Sequence, residues 1–229
     1  MPLKVSILPA LIDNYIYFLQ DEESSKTAVI DPADAKLVLN YLKTNNFELD
    51  FILNTHHHWD HTDGNLELIE KTGAKVIGAK KDHHRIPGIS IQLEEGDTFN
   101  LGASPMQVLE VPGHTLGAIA YYFDSDRTLF TGDTLFSLGC GRIFEGTPPQ
   151  MFSSLAKLKM LPKETRIYCG HEYTEKNRQF SLTLDPDNQE LLAFKKSAPT
   201  TLGLELRLNP FLTADLNQFI KIRSLRDQY

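Results

Sequence analysis

Four apolar runs in this chain each stop at residues able to bind a metal ion, and that repetition restricts how the backbone can fold. Phe51-Ile52-Leu53 leads into Thr55-His56-His57-His58-Trp59-Asp60-His61, and Met106 to Val111 ends in Pro112-Gly113-His114. Thr128-Leu129-Phe130 leads into Thr131-Gly132-Asp133, and Arg166-Ile167-Tyr168 into Cys169-Gly170-His171. Short apolar runs bounded by turn residues read as buried strands. In the last three a glycine stands between strand and polar residue, where it permits backbone angles or a close approach that a side chain would block. If the four strand ends reach one edge, their polar residues meet there, which is how α/β proteins build sites.

The first run is the densest, with His56, His58, Asp60 and His61 lying within six residues. A histidine-rich surface loop is the bland alternative, but with only 8 His in 229 residues the spacing H-x-H-x-D-H is a poor coincidence. Imidazoles with a carboxylate suit borderline divalent metals, and the lack of cysteine points to a site with an open water position rather than a closed structural one. Four ligands so close in sequence cannot all close on one ion without strain, so two ions are expected, with further ligands from elsewhere. The spacing supports His56, His58 and His114 for one ion, Asp60, His61 and His171 for the other, and Asp133 between them. His57 is out of phase and His83-His84 stands apart; both are expected at the surface or behind the ligands.

The first third reads as strands at Val5–Leu8, Tyr15–Leu19, Thr27–Ile30 and Phe51–Leu53, with helices at Ala35–Lys43 and Leu66–Lys71. Strands and helices alternate without a regular βαβ rhythm, which predicts two sheets with helices outside. After His171 the spacing turns helical over Tyr173–Leu184, Gln189–Phe194 and Ala214–Arg226, broken by Asp185-Pro186-Asp187 and Asn209-Pro210. A boundary is expected near residue 173, with a second part too short to fold alone and therefore packed on the first. Arg223 and Arg226, three apart, share a helix face.

Composition sets outer limits. Apolar residues make up 41%, enough for a core, and the net charge of −7 disfavours nucleic acid as a partner. Cys140 and Cys169 are the only cysteines and form no C-x-x-C pair, so both are expected as buried fillers in a reducing compartment. Met1-Pro2-Leu3-Lys4-Val5-Ser6 lacks the layout of a signal peptide, and no run is long enough to span a membrane, which predicts a cytoplasmic protein. There is no Gly-x-Ser-x-Gly elbow and no phosphate-cradling G-x-x-x-x-G-K-[ST] loop.

The blocks Thr-His-x-His-x-Asp-His, Pro-Gly-His-Thr, Gly-Asp-Thr-Leu-Phe and Gly-His-Glu-Tyr resemble those of the metallo-β-lactamase superfamily. Gly139-Cys140-Gly141-Arg142-Ile143-Phe144-Glu145-Gly146-Thr147 and Cys169-Gly170-His171-Glu172-Tyr173-Thr174 are similar to the hydroxyacylglutathione hydrolase (glyoxalase II) family. The resemblance runs from Asp13-Asn14-Tyr15 to Arg223-Ser224-Leu225-Arg226-Asp227-Gln228-Tyr229. It implies an α+β fold, a four-layer αββα sandwich at 1–173 with a small helical, glutathione-binding extension at 174–229. It further implies a thioesterase with two divalent ions per chain, zinc foremost and iron or manganese compatible, that hydrolyses S-D-lactoylglutathione in methylglyoxal detoxification. In that scheme a hydroxide held by the ions attacks the thioester carbonyl, with Asp133 bridging and Asp60 orienting. The family's substrate contacts carry over to Arg142, Tyr173, Arg223 and Arg226, and Phe144 stands where some members have tyrosine. The small-molecule substrate is the expected partner of a monomeric chain, without nucleic acid or membrane.

Other members of the superfamily share much of this pattern. A full Asp60-His61-His171 set argues against a glutathione persulfide dioxygenase with one iron, and the arginine-bearing extension argues against lactonases and β-lactamases. A non-catalytic protein holding metal or glutathione conjugates would leave this complete ligand set without a purpose.

Overall fold

A computed structural model describes residues 3–195 and 197–229; Met1, Pro2 and Lys196 lie outside the described residues. Strands β1 (Leu3–Ala10), β2 (Asn14–Asp21), β3 (Thr27–Ile30), β4 (Phe51–Leu53), β5 (Lys75–Ala79) and β6 (Ile89–Leu93) form one sheet in sequence order. Pairing is antiparallel from β1 to β3 and parallel from β3 to β6. The second sheet holds β7 (Thr98–Leu101), β8 (Ser104–Glu110), β9 (Ile119–Phe123), β10 (Thr128–Gly132), β13 (Arg166–Cys169) and β14 (Thr200–Thr201), in the order β14-β13-β10-β9-β8-β7. Between β10 and β13, β11 (Leu135–Phe136) and β12 (Gly139–Cys140) make a small hairpin.

Alternation along the strands divides the apolar residues between two faces. Tyr17, Leu19, Ile30, Leu53 and Ile77 from the first sheet pack against Val108, Tyr121, Phe130 and Tyr168 from the second, filling the sandwich. The opposite face of the first sheet, with Phe18, Val29 and Ile52, is covered by Val38 and Leu42 of α1 (Ala35–Asn45) and Leu68 of α3 (Asn65–Thr72). The outer face of the second sheet, with Ala120, Leu129 and Ile167, is covered by Met151, Leu155 and Leu158 of α4 (Pro148–Leu158). The layers are therefore helix, sheet, sheet, helix, as the αββα expectation has it.

The expected irregular rhythm needs correction. From β3 through α1, β4, the short α2 (Trp59–Thr62), α3 and β5 the chain runs as consecutive βαβ units, which is why half of the first sheet is parallel. The hydrophobic pattern fixes each element but not which strand it pairs with.

After β13 come α5 (Thr174–Leu184), α6 (Gln189–Ala193), α7 (Leu202–Leu208), α8 (Pro210–Thr213) and α9 (Leu216–Gln228). Asp215 caps α9 by accepting from Gln218 N, with Gln218 returning the bond in a capping box. Phe180, Phe211 and Phe219 of these helices join the same apolar cluster as Leu155 of α4, so the C-terminal helices share the core of the second sheet's outer layer. Among the described residues no helix is long and apolar enough to cross a membrane.

Candidate metal centre

The four strand ends meet as the sequence predicts. His56 and His58 follow β4 and His61 lies on α2, while His114, Asp133 and His171 follow β8, β10 and β13. At Gly132 the backbone has φ +49, and a Cβ there would sit 2.3 Å from Thr55 Oγ1, so the turn into Asp133 needs glycine on both counts.

Two trios of ligand atoms converge, each within 4.8 Å: His56, His58 and His114 in one, Asp60, His61 and His171 in the other. His58 Nδ1 lies 3.1 Å from His56 Nε2 and 3.0 Å from His114 Nε2. His61 Nε2 lies 3.3 Å from His171 Nε2, with Asp60 Oδ2 3.6 and 3.4 Å from the two. Asp133 Oδ2 is 3.4 Å from His114 Nε2 and 3.3 Å from His171 Nε2, and Oδ1 is 3.5 Å from His61 Nε2. This carboxylate thus touches a member of each trio. A third grouping, Asp31 with His56 and His61, also falls within 4.8 Å.

The outer nitrogens are already committed. His61 Nδ1 faces Asp31 Oδ2 at 3.0 Å, His171 Nδ1 faces Asp13 Oδ1 at 2.9 Å, and His114 Nδ1 faces the Arg142 carbonyl at 2.7 Å. Each of these partners only accepts, so each Nδ1 carries a proton, and in the neutral ring that ligation requires each Nε2 turns a lone pair inward. Lone pairs 3.3 Å apart repel unless a cation lies between them. Asp133 Oδ1 is buried and has no hydrogen-bond partner, a costly state for a carboxylate that ligation would relieve. The donor set therefore fits two divalent ions.

The electrostatics of the two trios differ. Burial, reinforced by His61, pushes His56 well below the ordinary imidazole range, and burial with His114 pushes His58 down to about 4. Burial would also lower His171, but Asp133, Asp60 and Asp13 outweigh it and raise the group to about 11. Burial would raise Asp133, yet His61 and His171 hold it well below the usual carboxylate range. His56 and His58 thus offer neutral imidazoles, as ligation requires, while the second trio is surrounded by the carboxylates of Asp133, Asp31 and Asp13 and demands positive charge.

Beside the centre, a cavity of about 230 Å³ is lined by Phe136, Arg142, Tyr173, Asn177, Arg223 and Arg226, among others. The Tyr173 ring stacks on His171 at 5.0 Å and 2°. Arg142 is largely exposed, with its guanidinium 5.6 Å from the Phe144 ring. Arg226 is half-buried, and its Nη2 donates to Asn177 Oδ1 at 3.3 Å. Arg223 is buried: Nη1 donates to the carbonyls of Cys140 (2.9 Å) and Gly141 (3.4 Å), and Nη2 to Asp227 (3.0 Å). Four of the five expected substrate residues thus line one cavity. Phe144 instead stands over the first trio, its ring 5.8 Å from His58 and 5.2 Å from His114. A larger cavity of about 380 Å³ lies among the C-terminal helices and is lined by none of the ligand residues.

Residues 13–171 match the metallo-beta-lactamase superfamily and residues 172–229 the hydroxyacylglutathione hydrolase C-terminus. A hydroxyacylglutathione hydrolase of Pelagibacter ubique is 46% identical over 99% of this chain and 100% of its own. The chain belongs to the hydroxyacylglutathione hydrolase family. Another member, from Methylococcus capsulatus, is 47% identical over 92% of this chain and 86% of its own. Among solved structures, ETHE1 from Myxococcus xanthus superposes with a TM-score of 0.79 at 28% identity, over 96% of this chain and 90% of that one. TTHA1623 in a di-iron-bound form gives 0.68 at 29% identity, over 91% and 100%.

In this member of the hydroxyacylglutathione hydrolase family, the residues behind the ligands were not legible as such. Asp31 accepts from Thr55 N (2.8 Å) and Oγ1 (2.6 Å) while holding His61, and Asn14 Nδ2 donates to Asp60 at its carbonyl (2.9 Å) and Oδ2 (3.2 Å). Asp31 directly follows Ile30, so the rule of an acid at a strand end would have found it. Asp13 and Asn14 sit in the β1–β2 turn, where polar residues are ordinary. His83 and His84 are exposed, as expected, and both cysteines are buried and unpaired.

Proposed function

We propose that the protein hydrolyses S-D-lactoylglutathione to D-lactate and glutathione, as a thioesterase with two divalent ions. The observation that carries this reading is the pair of ligand trios joined by Asp133, opening beside a cavity lined with arginine. Zinc is the proposed metal, with iron and manganese suited to the same imidazole and carboxylate donors.

When bound, the ions would supply Lewis acidity and bring the pKa of a water near 7. His56, His58 and His114 would hold one ion and Asp60, His61 and His171 the other, with Asp133 shared. Asp60, tethered by Asn14, would accept a hydrogen bond from the attacking water and aim its lone pair. Arg142 and Arg226 would bind the carboxylates of the glutathione moiety, contacts strengthened by charge. Tyr173, stacked on His171, would wall the passage between the tripeptide and the reacting carbonyl. A thiol of pKa about 8.5 leaves as thiolate, so no strong general acid is needed.

In this reading residues 1–173 form the hydrolase domain and 174–229 the substrate-binding extension. Both trios and the cavity come from one chain, which supports a monomer as the working unit. The two free thiols support a reducing, cytoplasmic setting.

The test is the rate of S-D-lactoylglutathione hydrolysis alongside a metal count. Turnover with about two ions per chain, lost on chelation and restored by divalent metal, is expected. Absence of turnover with two ions bound overturns the substrate.

A further inference from the structure

His57 lies among the ligand histidines but engages a different set of partners. Its Nδ1 is 3.1 Å from Asp82 Oδ2, and its Nε2 is 3.1 Å from Arg85 Nη1. Arg85 also donates from Nη2 to Asp82 Oδ1 at 2.5 Å, and grips Glu145 with both nitrogens, at 2.5 and 3.2 Å. Asp82 is completely buried. A carboxylate only accepts and a guanidinium only donates, so His57 must donate from Nδ1 and accept at Nε2. One tautomer and one ring orientation satisfy both partners.

The cluster joins three parts of the chain. His57 stands between His56 and His58, while Asp82 and Arg85 lie beyond β5. Glu145 accepts from Leu116 N at 2.8 Å, and the Phe144 and Glu145 amides donate to the His114 carbonyl at 3.2 and 3.3 Å. Gly117 completes the fit, since a Cβ there would meet the Asp82 carboxylate at 2.3 Å. Every ligand of the first trio is therefore flanked by a segment that this charge cluster holds.

We propose that Asp82, Arg85 and Glu145 are positioning residues that, through His57 on one side and the His114 segment on the other, set the spacing of His56, His58 and His114. A buried charge such as Asp82 is a poor device for stability, because an apolar residue of similar volume does as well or better, whereas it fixes geometry when directed at a partner. The proposal rests on the metallohydrolase reading of that trio. It differs from the ligand assignment in that none of the three residues belongs to either trio or lines the cavity beside them.

The test uses the full chain with the substitutions Asp82→Asn, Arg85→Met, Glu145→Gln and His57→Asn. Titration of the metal-free proteins with zinc is expected to show one of two affinities weakened by about 10–100-fold, the usual effect of losing a partner behind a ligand. With S-D-lactoylglutathione, kcat should fall with KM little changed, and Arg85→Lys should recover part of the loss. In metal-free wild type, nitrogen NMR should find the His57 proton on Nδ1, and in Asp82→Asn that preference should be lost. Wild-type zinc affinity in folded Glu145→Gln and His57→Asn, or a wild-type His57 protonated on Nε2 alone, overturns the proposal even if the two harsher variants fail to fold. A wild-type protein that hydrolyses no thioester overturns the substrate reading instead, since zinc titration and NMR need no turnover.

Discussion

Gly170 approaches Asp133 so closely that a Cβ on it would sit 2.3 Å from Oδ1, and 2.8 Å from the His61 ring. The carboxylate that joins the two trios therefore occupies space reserved by the absence of a side chain. Gly170→Ala should displace Asp133 and lower both the metal count and kcat by at least tenfold, with the helical circular dichroism unchanged. A variant with two ions and normal turnover would show that Asp133 can move without consequence.

Asp133→Ala tests the same carboxylate directly. Removing the group that touches both trios should abolish tight binding of both ions and, with them, hydrolysis. Loss of a single ion, with the other retained, would assign Asp133 to one trio only.

Asp31→Asn keeps the shape and the acceptor for Thr55 but withdraws the charge facing His61 Nδ1. Metal affinity should weaken by about 10–100-fold, as for other partners behind metal ligands. Isothermal titration of the metal-free protein reads this without reference to substrate.

Arg223 and Arg226 share a helix face but not an environment, so their alanine variants should part. Arg226→Ala, at the half-buried position, should raise KM with little effect on kcat. Arg223→Ala leaves the buried Cys140 and Gly141 carbonyls without their donor, which costs about 1–3 kcal/mol of stability in urea unfolding. Equal stability and equal KM effects for the two would sink the distinction.

Glu205 predicts a pH dependence away from the metals. It is fully buried on α7, where Oε2 accepts from Leu138 N (2.8 Å) and Asn209 Nδ2 (2.9 Å) and Oε1 from Thr200 Oγ1 (2.7 Å). Burial outweighs these bonds and raises the carboxyl from 4.5 to about 7. A carboxyl that binds its proton more tightly when folded contributes stability that is fully present below 4.5 and is lost as pH rises through 7. The gap corresponds to about 3 kcal/mol. Glu205→Gln should flatten that decline; parallel stability profiles between pH 4 and 8 would place its origin elsewhere.

His56, His58, His114, Asp133 and His171 were legible because each comes soon after a short apolar run whose direction carries it to the edge, while Asp60 and His61 are brought there by α2. Two elements, the helix at 148–158 and the strand at 119–123, were not assigned from the sequence. The helix at Pro148–Leu158 has its start signal, Thr147 with Gln150 in a capping box, and apolar residues at Met151, Leu155 and Leu158. Ile119–Phe123 is buried along its whole length, so it shows no alternation by which a strand is told from a helix. Strand order, and the partners of His57 and Arg223, depend on contacts between distant segments that no local pattern records.

His56, His58, Asp60 and His61 hang from the first sheet, whereas His114, Asp133 and His171 hang from the second. Each trio draws on both layers, so an ion seated in either one rivets the two halves of the sandwich together. The metal content of this protein is then also a term in its folding equilibrium: each tenfold excess of free metal over the dissociation constant deepens the native state by about 1.4 kcal/mol.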